Sequence, residues 1–60
     1  MLTISDVGVA LGLEQYVYIT TYGKRQRIVR TKMCHGTLYG LVLATGKWEP
    51  FSMGNVDIAQ

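Results

Sequence analysis

The stretch that decides the fold is QYVYITTYGKRQRIVRTKM, residues 15–33. β-Branched and aromatic residues alternate with polar ones on both sides of a glycine. This period-2 pattern is typical of two antiparallel strands joined by a tight turn. The stretch therefore predicts a β-hairpin at the centre of the chain.

The hydrophobic pattern also indicates the register of this hairpin. A three-residue loop at 23–25 separates the aliphatic side chains from the aromatic and basic ones, whereas a two-residue loop at 23–24 mixes them. We therefore expect the three-residue loop, which pairs Tyr22 with Gln26, Ile19 with Val29, Tyr18 with Arg30 and Tyr16 with Lys32. The inward face would then carry Val17, Ile19, Val29 and Met33.

The residues before the hairpin indicate a short helix, over residues 4–13. Thr3 and Asp6 have the spacing of a capping box, and Ile4, Val7, Ala10 and Leu11 recur at helical spacing. The two glycines of this segment weaken it as an isolated helix. We therefore expect it to depend on packing against the sheet.

The residues after the hairpin indicate two or three further strands. TLYGLVLAT and KWEPFSM have strand composition, His35-Gly36 and Thr45-Gly46-Lys47 indicate turns, and Val56 with Ile58 indicates a short closing strand. Pro50 indicates that its strand lies at an edge or is bent there. We predict one mainly β domain, residues 1–60: a strongly bent, barrel-like antiparallel sheet of four or five strands at 15–59, with the N-terminal helix.

Length and composition limit the class of protein. The chain has 60 residues, of which 48% are hydrophobic and 17% charged, so we expect a folded but marginally stable domain. Small size and exposed edge strands favour a homodimer. The sequence contains no apolar run long enough to span a bilayer and only one cysteine, Cys34. We therefore expect a cytoplasmic protein with no membrane partner.

The basic residues are concentrated in and beside the hairpin. Five of the six lie within residues 24–32, which contain no acid. Tyrosines on one strand face can stack on nucleobases while neighbouring cations contact phosphates. We predict a nucleic-acid surface, for DNA or RNA, formed by Tyr16, Tyr18, Lys24, Arg25, Arg27, Arg30 and Lys32.

Two other interpretations of these residues stay open. The same basic edge suits a small interaction protein, of phage or accessory type, that binds an acidic surface on a larger protein and modulates it. Alternatively, the cations only keep the hairpin soluble and cover the tyrosines with their side-chain stems.

The remaining candidate residues do not indicate an enzyme. We expect Trp48 in the core, since a small domain needs its largest apolar side chain there; if exposed, it would be an anchor for a partner. Cys34 and His35 are too few for a metal site, and as neighbours on a strand they would point to opposite faces. The four acids are scattered. We predict no catalytic residues, no metal and no cofactor.

Residues 16–59 resemble the small barrel of WYL domains, which occur in bacterial transcriptional regulators. The similarity lies in YVYITTYGKRQRIVR, LYGLVLATGKW and FSMGNVDI, although the name motif is replaced by Leu38-Tyr39-Gly40. The resemblance implies an Sm-like barrel and a role in transcription regulation. The N-terminal TISDVGVALGLEQ resembles the first helix of a helix-turn-helix motif, but the strand-favouring YVYITTYG follows it, so we predict no recognition helix.

Overall fold

The chain forms one antiparallel sheet of five strands with a short helix against one face. The computed structural model describes residues 2–59, so the two terminal residues of the predicted domain lie outside it. The elements are α1 (Ile4–Gly12), β1 (Tyr16–Thr21), β2 (Lys24–Cys34), β3 (Thr37–Val42), β4 (Trp48–Pro50), a 3₁₀ turn (Met53–Asn55) and β5 (Val56–Ala59). The predicted fold class, a mainly β domain with an N-terminal helix, is confirmed.

The helix α1 begins at the expected capping box. The backbone N–H of Thr3 donates to Asp6 Oδ2 at 2.8 Å, and the N–H of Asp6 donates to Thr3 Oγ1 at 3.3 Å. Val7 and Ala10 point into the core. Strand β1 follows the helix directly, so the described chain has no recognition helix at this position.

The sheet is bent because its two edge strands are neighbours in sequence. The strand order is β4-β3-β2-β1-β5, yet only residues 51–55 connect β4 to β5. In a flat five-stranded sheet the outer strands would lie about 19 Å apart, at about 4.8 Å per spacing. The connection includes a 3₁₀ turn and spans about 16 Å at most. The edges must therefore curve toward each other.

The first hairpin has a different register from the expected one. Tyr18 pairs with Arg27, Ile19 with Gln26 and Thr21 with Lys24, so the loop is Tyr22-Gly23. Both loop residues have positive φ, 51° and 75°. This is the type I′ geometry, whose twist matches that of the flanking strands. The prediction of a three-residue loop was therefore wrong.

A β-bulge in β2 explains why the hydrophobic pattern was misleading. The pairing of β2 with β3 shifts between Ile28 and Arg30, so Val29 is an extra residue. An extra residue reverses the alternation of side chains along the rest of the strand. Arg25 and Arg27 before the bulge consequently share a face with Arg30 and Lys32 after it. No register without a bulge can place all four of these cations on one face.

The core lies between α1 and the inner face of the sheet. Its buried side chains are Val7, Ala10, Val17, Ile19, Ile28, Val42 and Phe51. Trp48 was expected in this core but is 37% exposed on the opposite face, whereas Phe51 is only 8% exposed. Met33, expected inward, is 63% exposed. Aliphatic residues and one phenylalanine fill the small interior, so the larger indole stays outside.

Candidate nucleic-acid interface

The sheet face opposite α1 combines aromatic and basic side chains. We call it the outer face. Cross-strand pairing assigns to it Tyr16, Tyr18, Thr20, Arg25, Arg27, Arg30, Lys32, Tyr39, Leu41, Trp48, Pro50, Asp57 and Ala59. Four of the six basic residues of the chain therefore lie on one side of the sheet.

The outer face contains six of the seven residues that the sequence predicted for nucleic-acid binding. The exception is Lys24, which pairs with Thr21. Thr21 Oγ1 accepts a hydrogen bond from Gln26 Nε2 at 2.8 Å, and Gln26 pairs with the buried Ile19. Lys24 thus lies on the inner side of the hairpin end, away from the other cations.

Two arginines cover the tyrosines of β1. The Arg25 guanidinium lies 4.1 Å from the centre of the Tyr18 ring, and the Arg27 guanidinium lies 4.1 Å from that of Tyr16. Arg25 also forms an ion pair with Asp57, at 2.6 Å. Because both members of this pair are exposed, the pair adds little stability. It does neutralise part of the charge of Arg25.

The aromatic rings that β3 and β4 contribute to the outer face were not among the predicted site residues. Lys32 Nζ lies 4.5 Å from the Trp48 ring and 5.8 Å from the Tyr39 ring. Tyr39 pairs with Lys32, and Trp48 pairs with Leu41. The alternation of side chains along the predicted strand TLYGLVL could have placed Tyr39 on the outer face. Trp48 was expected in the core, with a contact role only if it proved to be exposed.

Arg27 carries an unsatisfied donor. Its Nε is buried and has no hydrogen-bond partner within residues 2–59. A buried polar group without a partner costs on the order of 1–3 kcal/mol. Because the atom has no solvent access, a ligand oxygen could reach it only after the Arg27 side chain moved.

Cys34 and His35 lie closer together than expected. Cys34 Sγ is 3.2 Å from His35 Nδ1 at the exposed end of β2. The expectation of opposite faces was wrong because His35 is the first residue of a two-residue turn and has a φ of 51°. Nucleophilic catalysis usually needs a third group to orient the base. The four acids lie on α1, on its connection to β1, on β4 and on β5, rather than on this turn.

Comparison with known protein families, with curated proteins and with solved structures finds no match to this chain. The resemblance to WYL domains stays a prediction. Within residues 2–59, none of the helical structure has the length and apolar character required to cross a membrane. Because no known protein matches, the assignment of the candidate site rests on the geometry of the outer face.

Proposed function

We propose that the protein is a small non-catalytic module that binds nucleic acid through the outer face of its sheet. The observation that carries the proposal is the alignment of four cations with exposed aromatic rings on one face. Phosphates provide the complementary charge, and nucleobases provide planar groups for the rings. A regulatory role, as in the WYL family, belongs to the same proposal.

The spacing of the cations suits an extended polynucleotide. Side chains on one face of a strand recur about every 7 Å. Arg25 and Arg27 have this separation, and so do Arg30 and Lys32 on the other side of the bulge. The resulting row follows β2 through the middle of the sheet, with rings on both sides. Contacts to phosphates and ring faces carry little sequence information, so we expect weak sequence specificity.

A purely structural role of the cation–ring contacts is the simplest competing interpretation. Exposed cation–π contacts contribute about 0.5–1 kcal/mol each, which is useful in a domain of this size. That role does not require cations on both sides of the bulge. Their alignment on one face favours an anionic ligand.

Salt dependence of binding tests the proposal. We expect a fluorescein-labelled oligonucleotide of about 16 nucleotides to bind with micromolar affinity at about 50 mM salt. Three cations, or four if Arg25 leaves Asp57, would give a slope of log K against log salt between about −2 and −3. Fluorescence anisotropy measures both quantities. Affinity weaker than about millimolar at low salt would contradict the proposal.

A second candidate function is an interaction protein that binds and modulates a larger partner with an acidic surface. Tyr22 favours this alternative, because it is 93% exposed at the end of the first hairpin. Its φ of 51° is costly for an aromatic residue and well suited to asparagine. An exposed tyrosine at a strained backbone position is a good candidate for a contact residue.

The variant Tyr22→Asn separates stability from this function. Asn-Gly is the preferred pair for a type I′ turn, so we expect the variant to be more stable by about 0.5–1 kcal/mol. Chemical denaturation measures the gain. If Tyr22 is a contact, a partner captured by the wild type is lost despite the better fold. Binding of nucleic acid should stay unchanged, because Tyr22 is not on the outer face.

Two further expectations belong to this proposal. The exposed edge of β5 offers backbone groups to which a second copy would pair in the expected homodimer. The single cysteine is consistent with the cytoplasmic location that we propose. Neither expectation changes the role proposed for the outer face.

A further inference from the structure

Tyr16 lines two hollows in the protein surface. The hollow on the β2 side has a volume of about 410 Å³ and is bordered by Arg27 and Val29. The hollow on the β5 side has a volume of about 420 Å³ and is lined by Glu14, Gln15, Tyr16 and Ala59. Glu14, Gln15 and Tyr16 line both spaces, which differ in that the first reaches Arg27 on β2 and the second reaches Ala59 on β5.

The two sides of the ring are not equivalent. Strand β1 lies between β2 and β5, and the Arg27 guanidinium covers the ring from the β2 side at 4.1 Å. Among residues 2–59, the β5 side is open because Ala59, which pairs with Tyr16, has only a methyl side chain. No further strand covers this position in the described chain, since β5 is an edge. Tyr16 is accordingly 51% exposed.

We propose that the open side of Tyr16, above Ala59, is a stacking position for one unpaired nucleobase. The base would complete a stack in which the tyrosine ring lies between it and the guanidinium. This inference rests on the proposed function and deepens it, because it specifies that the ligand is single-stranded. Bases in a duplex are already stacked and paired, and cannot enter an isolated slot without being unpaired.

The slot offers one amide that can hydrogen-bond to the edge of a base, and its lining also includes the carboxylate of Glu14. Gln15 lines it and has both amide donors and a carbonyl acceptor, as the edges of nucleobases do. The row of cations on β2 lies one strand away, within reach of the backbone of the same nucleotide chain. A base in the slot and phosphates along β2 are therefore compatible.

The variant Ala59→Leu tests the slot by filling it. Stacking on an aromatic side chain contributes about 1–3 kcal/mol per base, so we expect single-strand affinity to fall about fivefold or more. Ala44→Leu is the matched control, because Ala44 is exposed in the turn between β3 and β4. Anisotropy titrations use the same labelled sequence as a single strand and as a duplex. Duplex affinity should be unchanged in both variants.

A second variant, Tyr16→Leu, removes the ring and leaves Ala59 in place. We expect a similar loss for the single strand, and circular dichroism confirms that each variant is folded. If both variants bind the single strand as the wild type does, or if the wild type prefers the duplex, the slot is refuted while the outer face stays a candidate. If the wild type shows no salt-dependent binding to either probe, the proposed function fails as well.

Discussion

Replacing Arg30 and Lys32 together with glutamate is expected to remove most of the affinity for nucleic acid. Both side chains are exposed on the outer face, beside the rings of Tyr39 and Trp48. A charge-assisted contact to phosphate contributes on the order of 1 kcal/mol or more, so losing two weakens binding about 30-fold or more. The slope of log K against log salt should decrease in magnitude by about 1–2.

The control for this variant changes the net charge equally but leaves the outer face intact. Lys24→Glu with Lys47→Glu also removes two positive and adds two negative charges, so that each double variant has a net charge of −2 instead of +2. Lys24 lies on the inner side of the hairpin, and Lys47 lies in the turn before β4. We expect less than about a threefold loss, because screening limits distant charges. Equal losses in the two variants would contradict the location of the site.

Sequence alone predicted the elements of this fold better than their register. The capping box of α1, the edge position of Pro50 and the short closing strand β5 follow from local rules, and the structure has them all. The register of β1 and β2 depends on the turn Tyr22-Gly23. A tyrosine at a positive φ is uncommon, so propensity gave no reason to expect it there.

The candidate site was partly predictable for a similar reason. The four cations of β2 lie at positions 25, 27, 30 and 32, on either side of Ile28 and Val29. The change from odd to even positions indicates a bulge between the two pairs. We interpreted the segment as a regular strand, which divides these cations between two faces. Tyr39 and Trp48 join them only because β3 and β4 extend the same face. That extension depends on tertiary pairing, which a local pattern does not specify.

Beside the bulge, Gly40 and Ile28 pack closely in the core. Replacing this glycine is expected to give the largest change in the stability of the domain. A Cβ atom added at Gly40 would lie 2.8 Å from Cγ2 and 3.1 Å from Cδ1 of Ile28. Ile28 is fully buried and pairs with Val17 and Val42, so it has no room to move away. We expect Gly40→Ala to destabilise the domain by about 1–3 kcal/mol. A thermal melt should shift by about 4–8 °C for each kcal/mol.

Replacing a glycine in the helix is expected to have the opposite effect on stability. Gly8 lies inside α1, and a Cβ added there meets no atom within 4 Å. Gly8→Ala should therefore stabilise the domain by about 0.5–1 kcal/mol, since alanine favours the helix. The double variant Ile28→Leu with Gly40→Ala tests the cause: leucine lacks the Cγ2 methyl, the atom nearest the added Cβ, so the cost of the added methyl group should fall. An equal cost in both backgrounds would assign the loss to the backbone of β3 instead.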